Sequence, residues 1–402
     1  MASIGVPSGQ PLSKIAVEPA GRTARPSLSS VLHIGKFYRP HTGGMETHLA
    51  HLVSHQTARL AVEVIVANDA PVNQTNFLDG ARISRIASFG TIASQPLCPF
   101  LPIALFNRQE TLVHLHLPNP WAAQAYLLSG HPGKLIVTHH ADILGRPLLR
   151  RLADPFIHRV MKRAQAIIVT SQRYLDSSEE LVPFRHKCHV VPLGIDVDAL
   201  RDERSAEVSR IRAQYGSRIL LAVGRLVPYK GFEFLLQAMK EIDATLLLIG
   251  TGPLQNELRS AIADHRIGNK VHLLGHIEDT LPYYKAAKML VFPSVSRAES
   301  FGLVQVEAMA AGLPVVNTEI DSGGPEVSVH GETGITVPAR DPQALAGAIK
   351  LLLENEAMRL RYAHAATLRA RQEFSARRMA ETTVALYKSV FGANQETLNS
   401  HK

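Results

Sequence analysis

The sequence predicts an α/β protein made of two doubly wound parallel-sheet domains in tandem. Three observations predict it. The chain has 402 residues, more than one ordinary core accommodates. Short Val/Ile/Leu-rich runs alternate with longer helical patterns, as parallel strands covered on both faces require. That alternation pauses near residue 200 and restarts near 217.

Val31–Ile34 reads as the first strand, ended by Gly35. A loop through Gly43 and Gly44 leads into a helix pattern from Met45 to Gln56. Further strands follow at Ala61–Ala67, Thr111–His116, Lys134–Thr138 and Ala166–Thr170, and Val190–Gly194 closes the first half. Residues 201–216 are charged, carry no strand pattern and read as a linker. Strands then recur at Ile219–Val223, Ala244–Ile249, Val271–Leu274, Met289–Phe292 and Pro314–Asn317, and 341–391 is strongly helical. The expected organisation is a disordered tail over 1–30, a first domain over 31–200 and the linker. A second domain covers 217–375, a last helix 376–391, and a second tail 392–402. Ligands in such folds lie beyond the carboxyl ends of the strands, so the cleft between the two domains is the expected site.

Composition narrows the function classes. Hydrophobic residues make up 46% and charged residues 19%, so wholesale disorder is excluded. No apolar run reaches the roughly 18–20 residues a membrane helix needs. The first 30 residues lack the apolar stretch of a signal peptide. Two cysteines, Cys98 and Cys188, make neither a disulfide framework nor a four-cysteine zinc site, and the cytoplasm is the expected location. The net charge of +8 divides as +6 in residues 1–200 and +2 in 201–402. The basic residues are scattered and not interleaved with aromatics, which disfavours nucleic acid. Their densest group is Arg146, Arg150, Arg151, Arg159, Lys162 and Arg163, a solvated helix face on charge pattern alone.

Several motifs are excluded. Gly250-Thr-Gly252 follows a strand, but Gln255 stands where a dinucleotide fingerprint needs its third glycine. There is no phosphate-binding G-x-x-x-x-G-K-[ST], no H-E-x-x-H and no G-x-S-x-G. His114 and His116 lack a nearby third ligand and read as structural.

Four loops remain, each after a strand. Glu299-Ser300-Phe301-Gly302-Leu303 precedes a helix ending at Gly312, and Glu307 lies one turn inside it. A helix start exposes unpaired N–H groups with partial positive charge, and a carboxylate beside it can accept from sugar hydroxyls. Arg225 and Lys230 sit on a strand-to-helix loop, where two fixed cations suit a diphosphate. Gly43-Gly44 allows close backbone approach to an anion. Thr138-His139-His140-Ala141-Asp142 offers a histidine at a strand end. Each loop alone also fits an ordinary turn, surface pair or packed histidine.

Together these loops closely resemble glycosyltransferase family 4, the retaining transferases of the two-domain GT-B fold. The carrying segments are Gly43-Gly44-Met-Glu46, Thr138-His-His140-Ala-Asp142, Val190-Val-Pro-Leu-Gly194-Ile-Asp196 and Gly224-Arg225…Lys230-Gly231. To these are added Gly250-Thr-Gly252-Pro-Leu254, Glu299-Ser-Phe-Gly…Glu307-Ala-Met and Gly331-Glu-Thr-Gly334, covering about 31 to 391. The resemblance implies two Rossmann-like domains facing across a cleft. It implies that Arg225 and Lys230 bind the donor diphosphate and that Glu299 faces the donor sugar. It further implies that the backbone at Phe301, Gly302 and Leu303 contacts phosphate and sugar, that Glu307 binds the ribose, and that Gly44 lies under the diphosphate, with Gly43 and Ser300 also among the donor-binding residues. Ile277 is placed near the base. His140 matches the active-site histidine, with His139 as the alternative. The segment His116-Leu-Pro-Asn-Pro120 and the stretch Ala166–Ser178 are similar to a bacterial subset that assembles O-antigen or exopolysaccharide, many of whose members use GDP-mannose.

The implied function is retaining transfer of a hexose, mannose favoured, from a GDP- or UDP-sugar to a glycan or polyprenyl-diphosphate-linked acceptor. No cofactor and no metal are expected. Asp196-Val-Asp198 is the one Asp-x-Asp triplet and belongs to the resembling segment just before the linker. A lipid-linked acceptor would give the basic group from Arg146 to Arg163 a second meaning, peripheral contact with an anionic membrane at the inner face. The alternatives are a phosphorylase or disaccharide synthase of the same fold, or a non-catalytic sugar-nucleotide binder.

Overall fold

The computed structural model describes residues 28–41, 43–92, 95–143 and 147–392. The expected tails, and Arg146, fall almost wholly outside them.

The first sheet contains β1 (Ser30–Ile34), β2 (Ala61–Ala67), β3 (Gln74–Leu78) and β4 (Ala81–Ile86). A two-stranded ribbon follows, β5 (Thr91–Ile92) with β6 (Gln95–Pro96). The sheet continues with β7 (Leu112–Leu117), β8 (Lys134–His139), β9 (Ala166–Val169) and β10 (Cys188–Val190). The strand order is β10-β9-β8-β7-β1-β2-β4-β3, parallel except for β3 against β4. The second sheet contains β11 (Ile219–Val223), β12 (Thr245–Ile249), β13 (Val271–Gly275), β14 (Met289–Phe292), β15 (Val315–Glu319) and β16 (Gly334–Pro338). Its order is β13-β12-β11-β14-β15-β16, all parallel. Runs such as Ile-Leu-Leu-Ala-Val in β11 are buried on both faces because helices cover each side.

In each sheet the order reverses once. β1 has β2 on one side and β7 on the other, and β11 has β12 and β14. Where strands leave in opposite directions the connecting loops part and open a crevice at the carboxyl edge. The loops after β1, β7, β11 and β14 therefore line the two halves of the cleft.

The stretch 201–216, expected to be a plain linker, holds the helix Ser205–Tyr215. Its Val208 and Ile211 enter the second core, and its other residues are largely exposed and polar, which hides the period. The helix Ala376–Gly392 packs back on the first domain. Its Met379, Val384 and Tyr387 share a core with Val31, Leu52, Leu112 and Ile136. Lys134 Nζ donates to the Val390 carbonyl at 2.7 Å, a cation at the carboxyl end of that helix. No helix among the described residues is long and apolar enough to cross a membrane.

The chain passes between the domains twice, and the two passages lie side by side. Ile195 N–H donates to the Phe374 carbonyl at 2.9 Å, and Ala376 N–H donates to the Ile195 carbonyl at 2.8 Å. Gly194 makes this possible, since a Cβ there would stand 2.5 Å from the Ser375 carbonyl oxygen. Gly194→Ala is expected to destabilise the protein by about 1–3 kcal/mol in urea unfolding, as forced overpacking does. Gly347 is exposed in the helix Pro342–Glu354 with nothing near its Cβ direction. Gly347→Ala in the same assay is expected to stabilise by about 0.5–1 kcal/mol.

Candidate active site

The second-domain half is built by two loops locked together. After β11 the chain turns through Pro228–Lys230 to Gly231 and enters the helix Phe232–Met239. Gly231 has φ +65, and a Cβ there would lie 2.2 Å from the Pro293 carbonyl oxygen. Only glycine lets the loop after β11 approach the loop after β14 so closely. Val295 N–H donates to the Tyr229 carbonyl at 2.9 Å across the same seam.

This approach buries Lys230 against Glu299. Lys230 Nζ forms an ion pair with Glu299 Oε2, and each side chain is 10% exposed. Ser294 Oγ donates to Glu299 at 3.1 Å, and Lys230 Nζ stands 5.1 Å from the centre of the Phe292 ring. A low-dielectric surround makes this charge pair strong and leaves either partner costly if unpaired.

Gly302, at φ +84, opens the helix Leu303–Ala310 beside that pair. The Phe301 and Leu303 side chains are buried in the core, with the Phe301 ring 5.8 Å from that of Phe374. Their side chains therefore hold the loop, and their backbone is what a ligand would meet. Glu307 accepts from Tyr284 O–H at 2.8 Å. Burial pushes the Glu307 carboxyl above the usual carboxylate range, opposed by that hydrogen bond and by Lys230. Ser300 is half-buried, and its carbonyl accepts from Gly323 N–H at 2.9 Å. Ile277 is half-buried against the second core.

Arg225 is exposed at the cleft. Its charge reaches Lys36, on the first-domain loop after β1. Burial lowers the Lys36 pKa; Glu46 opposes this, and the nearby Arg225 adds to it. Arg225 and Lys36, one from each domain, thus lie close enough for their charges to act on each other. Lys36 was not marked by the sequence, because a lone lysine after a strand has no distinguishing neighbour. Gly43 precedes the helix Gly44–Gln56, and a Cβ on it would meet a Glu46 carboxylate oxygen at 2.4 Å. Gly44 faces open space.

The doubled histidine separates by strand geometry, since neighbouring side chains at a strand end point to opposite faces. His139 turns to Tyr174, whose hydroxyl lies 2.7 Å from Nδ1, and to Glu180 at 3.3 Å. His140 turns the other way. Its Nε2 lies 3.2 Å from His116 Nδ1, and its backbone N–H donates to the Leu117 carbonyl at 2.8 Å. Burial pulls the His140 pKa down to about 3, with His139 adding to the fall, so the ring is neutral at pH 7.

The domains also touch directly. Arg297, after β14, pairs with Asp142 at the end of β8, and Arg297 Nη1 donates to the Ser177 carbonyl at 3.1 Å. Asp142 also accepts from Tyr174 O–H at 2.9 Å and Ser178 O–H at 2.6 Å. Arg297 was missed in the sequence because its partner lies 155 residues away.

As to metals, three groups bring ligand atoms within 4.8 Å of one another: His33/His114/His116, His48/His116/His140 and His139/Asp142/Glu180. Most of these atoms already hydrogen-bond each other or a hydroxyl; His48, with both ring nitrogens buried and unpartnered, is the exception. The Asp196-Val-Asp198 triplet is otherwise engaged. Asp196 accepts from the N–H of Asp198 at 3.2 Å, and Asp198 pairs with Arg201 at 2.8 Å.

Comparison with known proteins accords with this geometry. Residues 42–199 match the family described as Glycosyltransferase Family 4, and residues 204–369 match Glycosyl transferases group 1. The D-rhamnosyltransferase WbpZ of Pseudomonas aeruginosa is 32% identical over 270 residues, 67% of this chain and 71% of that protein. The O-antigen chain mannosyltransferase C of Escherichia coli is 27% identical over 366 residues, 90% of this chain and 98% of the relative. Among solved structures, sucrose-phosphate synthase from Thermosynechococcus elongatus superposes with a TM-score of 0.77 at 22% identity, over 91% of this chain and all of that one. Anabaena Alr3699/HepE in complex with UDP and glucose has a TM-score of 0.76 at 20% identity, over 89% and 99%. Two parallel α/β domains of GT-B architecture, family matches over both halves and a relative alike over most of its length lead to one conclusion: the chain belongs to the family 4 glycosyltransferases and is a hexosyltransferase.

Proposed function

We propose that the protein transfers a hexose, mannose by preference, from a nucleoside-diphosphate sugar to a hydroxyl of a glycan or lipid-linked acceptor in cell-surface polysaccharide synthesis. The transfer retains anomeric configuration and uses no metal. The observation that carries this reading is the second-domain loop pair, the buried Lys230–Glu299 ion pair next to the helix start at Gly302, with Arg225 near enough to Lys36 of the first domain for their charges to interact. The relatives that act on O-antigen and on rhamnose support the substrate class.

The step breaks the bond between the sugar C1 and the diphosphate oxygen and forms one from C1 to the acceptor oxygen. Charge grows on the leaving diphosphate, and Lys230, Arg225 and the backbone N–H groups at Gly302 and Leu303 stabilise it. Among the described residues we assign no carboxylate as a covalent nucleophile, and the acceptor hydroxyl attacks from the leaving-group face, its proton passing to the departing phosphate oxygen. Glu299 and His140 orient the sugar, and Glu307 takes the ribose hydroxyls. Arg297 and Asp142 hold the halves together, which excludes water from the charge that develops. The triplet at 196–198 is not needed as a metal ligand, since its carboxylates serve the local turn.

The exposed Arg151, Arg159, Lys162 and Arg163 lie on the helix Pro147–Arg163, along with exposed Leu152. A cationic helix with an apolar residue among its charges suits an anionic bilayer carrying the acceptor.

Three measurements test this. In thermal-shift assays GDP and GDP-mannose are expected to raise the melting temperature more than UDP, ADP or their sugars, because bound ligand stabilises by mass action; equal shifts for all three bases would refute the donor preference. Lys230→Met and Glu299→Gln are each expected to cut turnover by about 100-fold or more and to lower stability by about 3–5 kcal/mol, since each leaves a buried charge unpaired. The double variant should regain most of the stability and none of the activity. Vesicle sedimentation should show binding to anionic but not neutral lipid, lost in Arg159→Glu/Lys162→Glu and in high salt.

A further inference from the structure

We propose that His48, His116 and His140 form a binding site for one divalent transition-metal ion, zinc by preference, whose occupancy inhibits transfer by taking His140 away from the sugar. The inhibitory part rests on the reading of His140 as a sugar-facing residue; the site itself does not. Transfer as proposed above needs no metal, so the ion acts as a regulator and not as a cofactor.

Topology brings the three rings together. His116 lies near the carboxyl end of β7, and His140 follows the neighbouring strand β8. His48 lies on the helix Gly44–Gln56 that follows β1, the strand on the other side of β7. The sequence left His116 without a third ligand because His48 is distant along the chain. In the fold, one nitrogen from each ring falls within 4.8 Å of the other two. His116 Nδ1 and His140 Nε2 are 3.2 Å apart. Two imidazole nitrogens on one tetrahedral zinc, each about 2.0–2.1 Å from it, stand about 3.3–3.4 Å apart. The ring centres of such a trio are about 5 Å apart. Here His48 lies 4.8 Å from His140 and 5.6 Å from His116, and His116 lies 5.5 Å from His140. Modest side-chain rotation closes the set around an ion.

His48 is the observation that points to a ligand. It is 3% exposed, and both of its ring nitrogens are buried with no hydrogen-bond partner among the described residues. A buried imidazole with nothing to bond costs free energy that a packed leucine does not. A metal ion supplies the missing partner. Burial holds all three rings neutral at pH 7, the form that ligates. A ligating histidine also needs an acceptor for its outward N–H. His116 Nε2 lies 3.1 Å from His33 Nδ1, and His33 Nε2 lies 2.8 Å from Gln56 Oε1, so that relay is in place. Three neutral nitrogens without a thiolate favour a borderline ion over magnesium or calcium and leave a fourth position for water or hydroxide. The other two clusters carry less. Both nitrogens of His33 and of His114 already have partners, and Asp142 and Glu180 are paired with Arg297 and Arg150.

The test uses the untagged, full-length protein stripped of metal with a chelator. Calorimetry is expected to show one tightly bound Zn2+ per chain. Co2+ in its place is expected to give the intense visible bands of a tetrahedral site and no thiolate charge-transfer band, which sets the site apart from Cys98 or Cys188. His48→Leu, which removes no hydrogen bond, is expected to keep the fold and the metal-free transfer activity. It should weaken Zn2+ binding by about 100-fold or more, the upper end of what losing an outer partner alone costs. His140→Gln, read for binding only, should weaken it likewise. Zinc is expected to abolish wild-type transfer, a chelator to restore it, and His48→Leu to resist it. No zinc uptake by the wild type, an octahedral Co2+ spectrum, unchanged affinity in both variants, or transfer untouched by bound zinc would overturn the proposal. Calorimetry and spectra need no substrate, so they decide the site even if no sugar nucleotide proves to be a donor, a result that would count against the proposed function alone.

Discussion

A parallel sheet covered on both faces leaves no wet side for a polar side chain. Polar chemistry is driven to the carboxyl ends of the strands, or must satisfy itself inside. Both outcomes occur here. Lys230, Glu299, Arg225 and Lys36 stand on loops past the strand ends, where the strand order reverses. His33, His114 and His116 lie within β1 and β7, fully buried, and bond one another, Gln56, Tyr387 and Thr138. Neutral rings linked in this way cost far less than isolated buried imidazoles would.

The two domains contribute different chemistry to the cleft. The second supplies charge and exposed backbone, held by a glycine that lets two loops meet at van der Waals limits. The first supplies a neutral ring and a glycine-lined helix start. Neither half alone encloses the cleft, and the Arg297–Asp142 pair is where their polar edges join.

Much of this was legible in the sequence. Strands such as Ile219–Val223 declare themselves because burial on both faces makes them continuously apolar. The β3–β4 hairpin did not, since Gln-Thr-Asn-Phe-Leu is a largely exposed edge strand and its turn is only Asp79-Gly80, both at positive φ. Lys230 and Glu299 could be marked from their loops and from the family pattern. Gln56 and Tyr387 could not: they are 331 residues apart, and a glutamine near a helix end and a tyrosine on an amphipathic helix look ordinary until the fold joins them. The same holds for His33 and His116, which read as unremarkable strand residues or a stray pair until β1 and β7 lie side by side.

The paired passages at Ile195 and Ser375 have a mechanical consequence. A single connecting strand would act as a swivel, free to rotate about its own axis as well as to bend. Two strands bonded in parallel resist torsion and yield to flexure, so the halves can open only as the covers of a book do. Bending about that seam would keep the two halves of the cleft in register.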